Sequence, residues 1–300
     1  MTGTHYRQRV MPYYRAFGSR LGYTALLGRT RHFGWYEAGD APWRFAAAMR
    51  RMEVVAARKL ALPPASSVLD AGCGVGDTAR TVARVSGVHV TGIDGIESDI
   101  VIARRRSADE AKGGGGGGGD EERRGRTRFL RADYHALPFA NSSFDGVYTM
   151  ESFVHSPDLS QGLAEFFRVL RPGGKLVMFE YSSTPRAELT PAARSALLRV
   201  CDRSSMPGML TMTHGELGRL LGETGFTLES VDDVSARILP MLRSFSTLGW
   251  LPYTVARGFR CGDRLVNAMS GVEMYRHQNT WRYTINVATK QVPRDGHTRS

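Results

Sequence analysis

Residues 66–79 read SSVLDAGCGVGDTA. The apolar pair Val68-Leu69 runs into an acid, Asp70, and then into Gly72, Gly74 and Gly76, spaced G-x-G-x-G. This pattern predicts a short buried strand over 68–71, a tight glycine loop, and a helix over 77–85. Residues without a Cβ let the backbone turn sharply and approach a ligand closely. The loop is not a P-loop, because no Lys-Ser or Lys-Thr follows the glycines. Nor is it the dinucleotide form G-x-G-x-x-G: the third glycine comes one residue early, and Asp77 stands where that motif continues. An acid at a helix start repels a pyrophosphate. The flanking acids Asp70 and Asp77 suit a cationic ligand end.

The rhythm of strand and helix continues outward from this loop. VHVTGID (88–94) reads as a second strand, 98–111 as a helix, TRFLRAD (127–133) as a third strand and FDGVYTMES (144–152) as a fourth. A helix over 159–170 stops at R-P-G-G, and KLVMFEY (175–181) is a fifth strand. Five alternations of this kind predict a parallel, doubly wound α/β sheet. A helix and a glycine turn then lead into a sixth strand over 226–234, and WRYTINVATK (281–290) alternates as a seventh. The expected organisation has four parts. Residues 1–60 form an N-terminal helical and aromatic cap, with a helix over 43–60 behind the irregular RHFGWYEAGD. Residues 61–235 form the core, interrupted over 112–126 by a flexible insertion with seven consecutive glycines. Residues 236–290 supply a helical cover and the last strand, since that stretch is too long for a bare loop, and 291–300 form a frayed tail.

Bulk composition narrows the partners. The 300 residues are 42% hydrophobic and 23% charged, as in an ordinary folded protein, with a net charge of +11. The basic residues are scattered in short runs with acids beside them and carry no interleaved aromatics, so no nucleic-acid partner is expected. Cys73, Cys201 and Cys261 form no C-x-x-C pair, and the histidines show no metal spacing. This predicts a reduced, cytoplasmic setting with neither a disulfide framework nor a metal. No 18-residue apolar run and no signal-peptide core are present.

Two further acids extend the pattern. Asp94 ends the second strand, 18 residues after Gly76, where a carboxylate can accept both hydroxyls of a ribose. Asp133, after the third strand, can accept from an adenine amino group; taken alone it also reads as a turn or helix cap. Three acids ending three successive strands are harder to explain as caps.

With these residues in place, the chain resembles the class I S-adenosylmethionine-dependent methyltransferases over roughly residues 50–235. The resemblance rests on VLDAGCGVG, VTGID, ADYHALPFANSSFDGVY and FFRVLRPGGKL, in that order. MESFVHSPD (150–158) is similar to a stretch of the sterol C-methyltransferases and their tocopherol-methyltransferase-like relatives. The resemblance implies a Rossmann-like methyltransferase fold and S-adenosyl-L-methionine as cofactor. It implies that Asp70 and the loop Gly72, Cys73, Gly74 and Gly76 hold the methionine part. Asp94 would take the ribose, with Gly95 beside it and Ile93 and Ile96 against the adenine. Asp133 and Tyr134 would meet the adenine amino group, and Glu151 or Ser152 the methionine end.

Methyl transfer is an in-line displacement that depends mostly on positioning, and a base is needed only if the acceptor must lose a proton. If the acceptor is an alkene of a sterol- or isoprenoid-like lipid, aromatic faces would stabilise the resulting cation, and Glu151 or His155 would remove a proton. If it is a hydroxyl, amine or ring carbon of a secondary metabolite, His155 would be the base. Histidine satisfying backbone groups beside Pro157, and a glutamate that only positions or caps, are the plainer readings of these two residues. Tyr13, Tyr14, Phe33, Trp35, Tyr36, Tyr181, Trp250, Tyr253 and Tyr275 are the candidates for the wall of an apolar acceptor site, against ordinary core packing for each. The expected partner is a small apolar molecule; peripheral contact with an internal membrane and a homo-oligomer are compatible with this. A nicotinamide oxidoreductase, a non-catalytic cofactor-binding protein and a nucleic-acid methyltransferase stand as rivals.

Overall fold

Strand β1 (Ser67–Ala71) and strand β4 (Phe144–Met150) lie side by side at the point where the strand order of the sheet reverses. The structure, a computed structural model, describes residues 30–113, 125–258 and 265–292. The expectations for the first 29 residues, Tyr14 among them, and for most of the glycine insertion and the tail lie outside the described residues.

Seven strands form one sheet in the order β3-β2-β1-β4-β5-β7-β6, with β2 at His89–Asp94, β3 at Thr127–Arg131, β5 at Leu170–Ser183, β6 at Phe226–Asp233 and β7 at Trp281–Lys290. Strands β1 to β5 are parallel to one another, whereas β7 runs antiparallel to both β5 and β6. The doubly wound, mostly parallel α/β sheet expected from the sequence is therefore present. Ligands in such sheets bind beyond the carboxyl ends of the strands where the order reverses, here between β1 and β4.

Helix α1 (Phe45–Leu60) buries Met49, Met52, Ala56 and Leu60 at helical spacing and packs on α2 (Asp77–Ser86). Helix α3 (Glu97–Gly113) follows β2, and α4 (Leu159–Val169) follows β4. Asp158 starts α4 by accepting the Gln161 N–H at 3.0 Å. The core is continuous across the sheet: Leu69, Val147, Tyr148, Phe179, Tyr283 and Ile285 are fully buried, with Leu163 and Phe166 of α4 against them. Each such side chain contributes roughly 1.5–3 kcal/mol.

Three strand limits and one helix depart most from the sequence reading. Strand β3 stops at Arg131, leaving Ala132 and Asp133 in the loop beyond it. Strand β4 stops at Met150, because Glu151 adopts a left-handed backbone (φ 54°) that turns the chain out of the sheet. Strand β5 is longer than 175–181 and begins at Leu170. Leu170 pairs with Phe144 and Lys175 with Gly146, so the R-P-G-G stretch loops out of the ladder. Helix α5 (Pro191–Arg203) was not evident from periodicity; Thr190 caps it and Pro191 opens its first turn. Helix α6 (Glu216–Thr224) precedes β6. The 236–290 cover is helical as expected, with α7 (Ser235–Gly258) and α8 (Val266–Arg276) packed together. Among the described residues no helix is long and apolar enough to cross a membrane.

Candidate active site

A seven-residue strap, Thr30–Tyr36, crosses the carboxyl ends of the strands without regular secondary structure, and its residues are tied to α1, α2, α3, α7 and the end of β4. The Thr30 hydroxyl donates to Asp77 at 2.6 Å, and Arg31 pairs with Asp99 at 2.7 Å. His32 lies 3.6 Å from Glu53 and is buried with it. Burial pulls the His32 imidazole down, but the Glu53 carboxylate more than offsets it, so its pKa is raised. The Phe33 N–H donates to Glu151 at 2.6 Å and the Gly34 N–H to the Met241 sulfur at 3.2 Å. The Trp35 and Tyr36 N–H groups donate to the carbonyls of Ala48 and Arg237, both at 2.9 Å. The strap is the lid of the site. The sequence offered no local sign of this, because its partners lie 13 to 207 residues away.

Beneath Arg31 of the strap a cavity opens, floored by Gly72, Gly74, Ile93 and Met150. Asp94, Gly95 and Ile96 form one wall, Ala132, Asp133 and Tyr134 the next, and Glu151, Ser152 and His155 the third. Asp94 accepts the N–H of Gly74 at 3.0 Å and of Ile96 at 2.8 Å, which fixes its carboxylate over the loop. Burial pushes its pKa up to about 6 against the pull of these N–H groups. Asp133 lines the cavity, and its Oδ1 accepts the His135 N–H at 2.9 Å, the bond of a turn cap.

Three expected cofactor residues, Asp70, Cys73 and Gly76, face the protein interior and do not line the cavity. Asp70 is fully buried in a bond from the Tyr148 hydroxyl at 2.7 Å, and burial pushes its pKa up to about 7. Cys73 is buried, with its thiol raised well above the usual range by burial and by Asp70 and Asp94 beyond it. Gly76 faces Phe129 and Ala103, which fill the space a side chain would need. Asp77, read as an acid for a cationic ligand end, is instead neutralised within the protein by Arg106 at 2.8 Å and by Arg80.

Glu151 is saturated with donors. Oε1 accepts from Phe33 N–H and, at 3.0 Å, from the Tyr283 hydroxyl, and Oε2 accepts from the Tyr181 hydroxyl. Burial raises its pKa, opposed by the same donors. This makes Glu151 the latch of the strap. His155 is held in the 3-10 turn Phe153–His155, where its Nδ1 meets the Ser205 carbonyl at 2.7 Å. A carbonyl only accepts, so Nδ1 donates and Nε2 is the basic nitrogen of the neutral ring. Burial pushes its pKa down to about 4.

The aromatic wall is only partly the one expected. Tyr181 packs edge-on against Phe33 at 6.3 Å, Tyr283 at 5.2 Å and Trp281 at 6.1 Å between ring centroids. Phe245 of the cover closes on Phe33 at 6.3 Å. Tyr181 thus packs in an aromatic cluster around Glu151 together with Tyr283, Trp281 and Phe245, which the sequence reading places only in strand or cover; the cluster meets the cavity through Glu151. Trp35 lies beneath the Arg237 guanidinium at 5.1 Å, Tyr36 packs in a separate small cluster with Met49 and Met241, and Tyr275 packs against the main core. Trp250 is 54% exposed on the outer face of α7 and takes no part in the wall.

The cavity's chemistry fits the cofactor expected from the sequence. Gly74 leaves open space where a Cβ would stand, so a ligand can lie on the backbone. Asp94 offers a fixed acceptor for a diol, with Ile93, Ile96 and Tyr134 as apolar faces for a ring. The buried acids of this region favour a cation.

Comparison with known proteins agrees. A family model described as a methyltransferase domain matches residues 69–178. The chain is 34% identical over 288 residues to the S-adenosyl-L-methionine-dependent Diels-Alderase iccD of Talaromyces variabilis, covering 95% of each. It is 28% identical to the sterol 24-C-methyltransferase erg-4 of Neurospora crassa, over 82% of this chain and 63% of that protein, so it spans less than two thirds of that relative. Among solved structures it resembles the [4+2]-cyclase SpnF, with a TM-score of 0.69, 22% identity and coverage of 90% and 93% of the two chains, a likeness of fold.

Proposed function

The chain belongs to the S-adenosylmethionine-dependent methyltransferases, and from that premise we propose that it methylates a small apolar acceptor, a carbon of a sterol- or isoprenoid-like lipid. The cofactor of this enzyme family supplies a methyl group already activated on a sulfonium. The protein's work is then to bind, orient and exclude water. Asp94 would accept the ribose hydroxyls, Ile93, Ile96 and Tyr134 would pack the adenine, and the strap would close over the pair.

The observation that carries the acceptor's class is the aromatic wall of Phe33, Tyr181, Trp281 and Tyr283 around Glu151. An apolar acceptor would gain burial beside this cluster, which meets the cavity at Glu151, and its ring faces would favour a cation developing on the acceptor's carbon. His155, neutral and with Nε2 as its acceptor nitrogen, would take the proton that such a carbon loses. The same nitrogen would serve a hydroxyl acceptor. Glu151 is the weaker candidate for proton removal, since three donors already occupy its oxygens.

A second reading is favoured by the whole-length likeness to iccD. In a cycloaddition no group is lost and no base is needed, and a bound cofactor would shape the aromatic wall without being consumed. Both readings are tested by incubating the protein with a lipid and metabolite extract and deuteromethyl-labelled S-adenosylmethionine, followed by mass spectrometry. A labelled product with one S-adenosylhomocysteine released per turnover supports methyl transfer. An unlabelled isomer of an extract component, formed only with cofactor present and without its consumption, supports cycloaddition. Neither product overturns both.

A further inference from the structure

We propose that Glu180, on β5, is a positioning residue of the active site: its carboxylate holds the turn that carries Glu151, Ser152 and His155. Glu180 is completely buried, and the sequence reading places it only within the fifth strand, with no functional role. Its Oε1 accepts the Phe153 N–H at 2.9 Å and the Thr149 hydroxyl at 2.8 Å, and its Oε2 accepts the Val154 N–H at 3.2 Å. The neighbouring residue completes the hold, because the Phe179 carbonyl accepts the Glu151 N–H at 2.9 Å.

The geometry follows from strand lengths. Strand β4 ends at Met150, opposite Phe179, while β5 continues to Ser183. The chain leaving β4 therefore passes alongside the overhanging end of β5. A 3-10 turn leaves its first N–H groups without partners inside the turn. Here two of them are buried, and one carboxylate satisfies both. Burial pushes the Glu180 pKa up to about 8 while the three donors pull it down. An apolar residue would remove the burial cost of the acid but would leave two backbone N–H groups stranded. Retaining the acid in such a place makes sense if the position of the turn matters.

Glutamine is the informative substitution. Its amide has one acceptor oxygen and one donor nitrogen, so in either orientation the Phe153 or the Val154 N–H faces a donor. The proposal rests on the cofactor reading above. S-adenosylhomocysteine binding to the parent protein checks that reading, and the ratio of variant to parent tests this one. Isothermal titration should show E180Q binding S-adenosylhomocysteine about tenfold more weakly than the parent, with E180D, which keeps the carboxyl group but retracts it, in between. The ¹⁵N signals of the His155 ring should shift in E180Q, since the ring rides on the same turn. In the parent, hydrogen exchange at the Phe153 and Val154 amides should be as slow as in the β4 core. Parental affinity in both variants with unmoved His155 signals would overturn the proposal, as would exchange in the parent at the rate of an open turn.

Discussion

The Glu151 carboxylate accepts the backbone N–H of Phe33 at 2.6 Å, a bond that spans 118 residues of chain and joins the end of β4 to the strap. Glu151→Ala leaves this N–H and the hydroxyls of Tyr181 and Tyr283 without an acceptor in a buried place. It should destabilise the protein by about 3 kcal/mol. Glu151→Gln should cost only about 1 kcal/mol, because the amide oxygen can keep Phe33 while its NH₂ donates to a tyrosine oxygen. Urea denaturation of the two variants checks the order, and equal losses would show that the latch is not the cause.

The acids at the strand ends predict opposite pH trends for stability and for binding. Burial raises Asp94 to about 6 and Asp70 to about 7 in the free protein, from an ordinary value of 3.8. A carboxyl raised by folding contributes stability that is complete below the unfolded value and is lost as pH rises through the folded one. From these two groups the free protein therefore loses stability between pH 3.8 and about 7. Cofactor binding needs the ionised Asp94 as acceptor, so affinity should rise through about pH 6 and level off above it. Calorimetry across this range tests both limbs. Asp94→Asn should lose roughly a hundredfold in affinity at high pH, and most of the pH slope with it.

His155 separates the two proposed reactions. Its pKa near 4 keeps the ring neutral, so no imidazole step should appear near 6.5 in a rate profile. If His155 Nε2 removes a proton, His155→Gln should slow product formation by roughly a hundredfold or more. S-adenosylhomocysteine affinity should stay close to parental. A cycloaddition would continue at a comparable rate, because nothing is deprotonated.

Much of this design was legible in local pattern. The limits of β7 follow from simple alternation, and the glycine loop followed by Asp94 and the Asp133 turn located the cavity. What escaped depends on contacts distant in sequence. Asp70 reads as a strand-end acid for the cofactor, yet Tyr148, placed opposite it by the β1–β4 pairing, holds it in a buried bond away from the cavity. Trp250 reads as a site aromatic, but the packing of α7 on α8 turns it to solvent. Glu180 sits in an apolar strand run with no feature to mark it, because its partners belong to a turn nearly thirty residues earlier. The strap has no periodicity at all, since its seven contacts are shared among five separate parts of the fold.

Two glycines of the loop should respond in opposite ways to the same substitution. At Gly76 an added Cβ would stand 2.7 Å from the Phe129 ring, on a backbone of φ 80°. Both the clash and the left-handed conformation act against Gly76→Ala, which should lose about 2–4 kcal/mol of stability. Gly74 also has a positive φ, 51°, but nothing lies within 4 Å of an added Cβ. Gly74→Ala should therefore cost only about 1 kcal/mol of stability, from the backbone alone. The open space is the floor of the cofactor cavity, so the new methyl group would stand where the ligand has to lie. S-adenosylhomocysteine binding should fall by tenfold or more, about 1.4 kcal/mol. Thermal denaturation with and without S-adenosylhomocysteine reads both effects: Gly76→Ala should lower the melting temperature of the free protein, and Gly74→Ala should mainly abolish the rise on adding ligand. If Gly74→Ala kept the full ligand-induced rise, the cofactor would not rest on this loop.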